Sequence, residues 1–117
     1  MARSRRFEFT LGDIRKVETL EELQETLAEN EKVVVVFSAV DWCVPCQRLA
    51  PHAKAAAEQL GDYLFLDVDV DHVDGVKETF GIMSVPQVWY YEDLKGGLLG
   101  RAIKARTALQ LVRELQA

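Results

Sequence analysis

A chain of 117 residues is long enough to bury one core and too short for two. Its composition, 49% apolar and 28% charged, is that of a globular domain, and a net charge of −5 gives no reason to expect nucleic acid as a partner. No stretch approaches the about 18 apolar residues of a membrane span, and the arginine-bearing start lacks the apolar run of a signal peptide. The expectation is a cytoplasmic protein, in a reducing compartment where a dithiol is the resting state. Basic residues gather at Arg3, Arg5 and Arg6 and again from Lys95 to Arg113 around an acidic middle, which we read as solvated surface.

Residues 1–12 alternate weakly (Phe7, Phe9, Leu11), as either a tail or an extra edge strand. Ile14 to Val17 reads as a short strand. Thr19 and Glu22 have the spacing of a capping box, and Leu20, Leu23 and Leu27 follow at helical period to about Asn30. Val33 to Val40 is apolar throughout and too short for an ordinary helix, so it reads as a strand buried on both faces. After Cys43 a helix carries Leu49, Ala53, Ala56, Ala57 and Leu60 and should stop at Gly61, with Pro51 inside it. Tyr63 to Val70 is a strand, and Val73 to Phe80 a short helix closed by Gly81. Pro86 opens a strand over Gln87 to Tyr91. A turn over Glu92 to Gly97 leads to its antiparallel partner, Leu98 to Ile103. Thr107 caps a last helix with Leu109, Val112 and Leu115 on one face. The order β-α-β-α-β-α-β-β-α predicts an α/β fold, a mixed five-stranded sheet flanked by helices.

The buried strand runs straight into Trp42-Cys43-Val44-Pro45-Cys46, which holds the only two cysteines. Their spacing lets both sulfurs meet across one helical turn, closing to a disulfide or opening to a dithiol. A helix starting at the motif aims unpaired N–H groups at the first sulfur, which favours thiolate and can draw a cysteine pKa from about 8.5 toward about 7. Pro45 suits the first turn, where its missing N–H had no partner anyway. Half a zinc site has the same spacing. A tetrahedral site needs about four ligands, however, and only His52 and His72 remain besides carboxylates, so redox chemistry is preferred and no metal is expected.

Over residues 13–117 the chain resembles the thioredoxin family. The carriers are Phe37-Ser38-Ala39, the Trp-Cys-x-Pro-Cys motif, Ala50-Pro51, Phe65 to Asp71, and Gly81-Ile82-Met83-Ser84-Val85-Pro86. The resemblance implies a protein-disulfide reductase. In it, exposed Cys43 attacks a partner disulfide, more deeply buried Cys46 resolves the mixed disulfide, and Trp42 and a cis-proline at Pro86 complete the site. It implies docking of an extended substrate along Val85, within a rim formed by Trp42, Val44, Met83, Val85 and Ile103. No cofactor is expected beyond the Cys43–Cys46 pair. The expected partners are disulfide-bearing proteins and an NADPH-dependent thioredoxin reductase, with the protein itself a monomer.

Four departures from the family pattern stand out. The family's buried aspartate falls at Val36, and the approach to Trp42 is one residue longer, so the proton acceptor for the resolving thiol is absent or moved. Asp67 is the first candidate and Asp41 the second, with an ordinary structural or solvated aspartate as the alternative for both. Val44 replaces a glycine between the cysteines, and family potentials span about −270 to about −120 mV. Lys104 stands where a glycine lets substrate approach, and Gln47 replaces a basic residue. The turn at Lys95-Gly96-Gly97 is longer than usual, and the link to the last helix is shorter. Trp89 and Tyr90 are expected in the core, and His52 and His72 in solvent. The rival readings are a binding subunit without redox turnover and a more oxidising exchange protein.

Overall fold

The computed structural model describes residues 13–94 and 97–117, so the tail-or-strand alternative for residues 1–12 and the tip of the Lys95-Gly96 turn lie outside the described residues. The elements are β1 (Ile14–Lys16), α1 (Leu20–Glu29), β2 (Lys32–Ser38), α2 (Val44–Gln59), β3 (Leu64–Asp69), α3 (Val76–Phe80), β4 (Gln87–Leu94), β5 (Gly97–Ile103) and α4 (Ala108–Gln116). They form one sheet in the order β1-β3-β2-β4-β5. β1, β3 and β2 run parallel, while β4 is antiparallel to β2 and β5 to β4.

β2 organises the molecule. Its side chains alternate between two cores, as a pleated strand covered on both faces requires. Val33, Val35 and Phe37 pack with Leu23 and Leu27 of α1, Val76 of α3, and Leu66 and Val68 of β3. Val34 and Val36 pack on the opposite face with Leu49, Ala53, Ala56 and Ala57 of α2 and Leu111 and Leu115 of α4. The result is helices on both faces of a mixed sheet, as expected. Among the described residues, no helix is long and apolar enough to cross a membrane.

The boundaries correct several sequence-based expectations. Thr19 Oγ1 accepts from the Glu22 N–H at 3.0 Å, but the Glu22 carboxylate takes the Glu18 N–H (2.8 Å) and Arg15 (2.7 Å). Only half of the expected capping box forms. α2 ends at Leu60 without a left-handed glycine, since among the described residues positive φ occurs only at Gly75 and Gly81. Those two glycines bracket α3 and shorten it to five residues, because left-handed backbone at each end suits glycine and cannot continue a helix. β4 and β5 stay paired as far as Leu94 and Gly97, so most of the expected turn is strand.

The buried face of α4 is shifted from the one expected. Leu115 is buried and Val112 half-buried as read, but Leu109 is 60% exposed and Leu111 is buried in its place. Leu111 and Leu115 lie one helical turn apart, and that stripe faces the sheet. Thr107 and Gln110 form a full capping box at its start, and His52, expected in solvent, is half-buried and accepts the Ala108 N–H at Nδ1 (3.1 Å). This imidazole satisfies one of the unpaired donors of α4 and ties it to α2. Leu111→Ala should cost about 2–5 kcal/mol in urea unfolding, and Leu109→Ala less than about 0.5 kcal/mol.

Candidate active site

Three connections meet at one end of the sheet. β2 and β3 are parallel neighbours, so the segments leaving their carboxyl ends emerge side by side. β4 starts beside the end of β2, with Gln87 opposite Phe37, which places Val85 and Pro86 at the same spot. Such carboxyl-end crevices are where open α/β sheets bind ligands.

The turn leaving β2 is closed by the Ala39 carbonyl, which accepts from the N–H of Trp42 (3.3 Å) and of Cys43 (2.9 Å). Gln47, one of the family departures, donates from its side-chain amide to the Val40 carbonyl at 2.6 Å and braces the turn from α2. Cys43 is the N-cap of α2, with extended backbone (φ −93°, ψ 104°), and its sulfur accepts the Cys46 N–H at 3.2 Å. A sulfur thus occupies the capping place usually filled by a hydroxyl or carboxylate oxygen. Cys43 and Cys46 are disulfide-bonded, with their Cα atoms 5.2 Å apart. The one close grouping of ligand-type side chains among the described residues is Asp41, Asp69 and His72, and no cysteine belongs to it.

The Val85–Pro86 peptide is cis, as the resemblance implies, and the Val85 carbonyl oxygen lies 3.9 Å from the Cys43 sulfur. Gln87 donates to the Ser84 carbonyl at 2.9 Å and steadies this loop. Of the expected rim, Trp42 (64%), Val44 (50%) and Met83 (96%) are exposed and Val85 is half-buried. Lys104 is exposed just beyond β5.

Two expectations fail. Ile103 is buried, because its strand register pairs it with Val88 and turns it into the core under α2 and α4. Cys43 is not an exposed sulfur either. It is 4% accessible against 2% for Cys46, and both belong to the core cluster with Ala39, Val68 and Val73. Packing in that cluster, with Val68 of β3 and Val73 just beyond it, leaves the Cys43 sulfur little contact with solvent.

Asp67 is half-buried on β3, opposite Val36 in the register, and accepts from the Ser38 hydroxyl at 3.3 Å. Its burial pushes its pKa above the ordinary carboxylate value, against a lowering by the Ser38 hydrogen bond, and nearby Asp69 adds to the rise. Among the described hydrogen bonds, none links Asp67 to a cysteine. Asp41 lies exposed in the turn, with its Oδ2 2.8 Å from His72 Nε2. His72 is exposed, as expected, but engaged. Trp89 is half-buried and Tyr90 buried, both in the core as read.

Sequence reasoning missed the polar frame around the motif. The Trp42 indole donates to Asp71 Oδ2 at 2.7 Å, and Asp71 also lies 3.9 Å from Lys77 Nζ. The available signal was topological: the segments after two parallel neighbouring strands emerge together, so Asp41 and Trp42 were bound to meet Asp69, Asp71 and His72.

The comparisons with known proteins agree with this geometry. A thioredoxin family model matches residues 15–117. The thioredoxin of Mycoplasmoides gallisepticum is 39% identical over 74 residues, covering 63% of this chain and 73% of the relative. Thioredoxin-2 of Saccharomyces cerevisiae is 34% identical over 84 residues, covering 72% of this chain and 78% of its own. The solved structure of Plasmodium falciparum thioredoxin superposes with a TM-score of 0.76 at 28% identity, over 88% of this chain and 97% of that one. Helices on both faces of a five-stranded sheet, a joined Cys-x-x-Cys pair heading a helix and these likenesses converge, and the chain belongs to the thioredoxin family as a thiol-disulfide oxidoreductase acting on protein disulfides.

Proposed function

We propose that this domain, residues 13–117, works as a protein-disulfide reductase with Cys43 as nucleophile and Cys46 as resolving thiol. In the reduced protein the Cys43 thiolate attacks one sulfur of a partner disulfide. The partner's S–S bond breaks, one partner sulfur leaves as thiolate, and a mixed disulfide forms. The Cys46 thiolate then attacks Cys43, the mixed bond breaks, and the second partner sulfur leaves. Two electrons and two protons pass to the partner, and the enzyme is left as its Cys43–Cys46 disulfide. The sulfurs carry the electrons, so no further cofactor enters the scheme. The observation that carries this reading is the cap: the Cys46 N–H sits 3.2 Å from the Cys43 sulfur at the head of a helix, a contact that gains strength when the sulfur is anionic.

Because Cys43 is recessed, docking is part of the chemistry. Trp42, Val44, Met83 and Val85 supply the apolar rim, with Lys104 at its side, and the Val85 backbone beside Pro86 pairs with an extended partner segment. Asp67 serves as proton acceptor for Cys46, its raised pKa suiting that work. The protein acts as a monomer in the cytoplasm and is returned to the dithiol by an NADPH-dependent thioredoxin reductase. Recharging in a reducing compartment is what a net reductase requires.

Cys43→Ser should lower insulin-disulfide reduction to the uncatalysed background, and Cys46→Ser should hold the partner as a mixed disulfide visible on a non-reducing gel. Reduction surviving in Cys43→Ser would contradict the assignment of the nucleophile. Asp67→Asn keeps an acceptor for Ser38 and removes the charge. A carboxyl whose folded pKa is raised stabilises the fold most below its unfolded value of about 3.9 and loses that contribution as pH rises through the folded value. Urea midpoints should therefore favour Asp67→Asn over the parent increasingly as pH rises from about 4 through the folded value.

A further inference from the structure

Asp41, Asp69 and His72 form a cluster against the active site that the exchange reaction above leaves unused, with their polar atoms within 4.8 Å of one another. His72 Nε2 lies 2.8 Å from Asp41 Oδ2 and 3.9 Å from Asp69 Oδ2. The two carboxylates are differently held. Asp69 is buried, at the end of β3, and its Oδ1 accepts the Asp71 N–H at 2.9 Å. Asp41 is exposed, immediately before Trp42, in the turn that carries Cys43. The Trp42 indole is itself held by Asp71 from the same segment. The turn presenting the nucleophile is thus fastened at two successive residues to one short stretch, Asp69 to His72. A protonated imidazole is the piece that joins the fixed carboxylate to the free one.

We propose that His72 is a positioning residue for disulfide exchange: as an imidazolium it clamps Asp41 to Asp69 and so fixes the Asp41-Trp42-Cys43 turn on which a partner disulfide is seated. The inference rests on attack by Cys43. Neutral imidazole still hydrogen-bonds Asp41 but loses the charge that attracts both carboxylates at once. The groups facing His72 are Asp41 from the turn, Asp69 from β3 and Lys16 from β1; neighbouring Asp71 is engaged by Trp42 and by Lys77 of α3. The Asp41 hydrogen bond, with Asp69 behind it, holds the His72 pKa above the ordinary histidine value, and Lys16 opposes them. With the pKa raised in the folded protein, the clamp is complete below about pH 6.5 and is released as pH rises through the folded value.

The clamp acts on docking, so it should appear in KM for a protein disulfide and not in kcat. At about pH 6, His72→Gln should raise KM for insulin by about two- to fivefold, the range of an exposed ion pair, and the difference should close by about pH 9. Asp41→Ala should do the same, and the double variant should be no worse than either alone, because the two residues act as a unit. In the parent protein the His72 ring resonance should titrate above its position in Asp41→Ala. An unchanged KM in His72→Gln at about pH 6, an equal effect at both pH values, or a His72 titration unmoved by Asp41→Ala would each overturn the proposal. Cys43→Ser separates the two readings. Loss of reduction there with an unchanged His72→Gln sinks the clamp alone, whereas reduction retained there sinks the attack by Cys43 and leaves the His72 titration to judge the clamp.

Discussion

The contact between the Cys46 N–H and the Cys43 sulfur starts a helix, and the chemistry proposed for the site depends on it. An α-helix leaves its first N–H groups without backbone partners, and some acceptor must meet them. Here a sulfur takes that place, in a position 4% accessible to solvent. In so dry a setting a backbone dipole aimed at a sulfur interacts more strongly with a thiolate than it would in water. On the proposed reading, the first turn of α2 responds to charge on Cys43, and a wound helix favours the thiolate over the thiol. Pro45 strengthens the arrangement by occupying the first turn without bringing a further unpaired N–H.

The rest of the fold keeps that helix start in place. β2 is buried on both faces from Val33 to Ser38, so it cannot shift register without exposing one of its two cores. Its parallel neighbour β3 delivers Asp69, Asp71 and His72 beside the turn, and its antiparallel neighbour β4 delivers Val85 and Pro86. Behind the turn, the long helix α2 rests on the sheet through alanines and a leucine, anchored to α4 through His52 and the Ala108 N–H. Among the described residues, Trp42, Val44 and Met83 stand exposed at this end. Three connections of the described residues converge there, and the site proposed for the chemistry lies among them.

What could be read from the residues was what short-range physics decides. Four valines in succession admit only a strand between two layers, and Cys-x-Pro-Cys after it admits a helix start. The family likeness supplied the cis peptide at Pro86. What escaped the sequence depends on long-range register. An apolar Ile103 suits a buried strand position or an exposed docking rim, and nothing local decides between them; its pairing with buried Val88 does. Along α4 both Leu109 and Leu111 offer an apolar stripe, and only contact with the sheet selects Leu111. The bonds from Trp42 to Asp71 and from Asp41 to His72 span 29 and 31 residues, beyond the reach of any local pattern. The recessed position of Cys43 escaped for a related reason, since it shares a core cluster with Val68 of β3 and Val73 of the loop that follows.

An oxidoreductase of this kind works only if its first sulfur ionises more readily than an ordinary thiol, and the helix start is the structural cause assigned to that. Alkylation of the reduced protein across a pH series, with Cys43 and Cys46 followed separately by peptide mass, reads this directly. The account predicts a midpoint for Cys43 well below the about 8.5 of a free cysteine, near about 7. A midpoint at or above about 8.5 would contradict it, because the cap would then be holding a thiol and not preparing a thiolate.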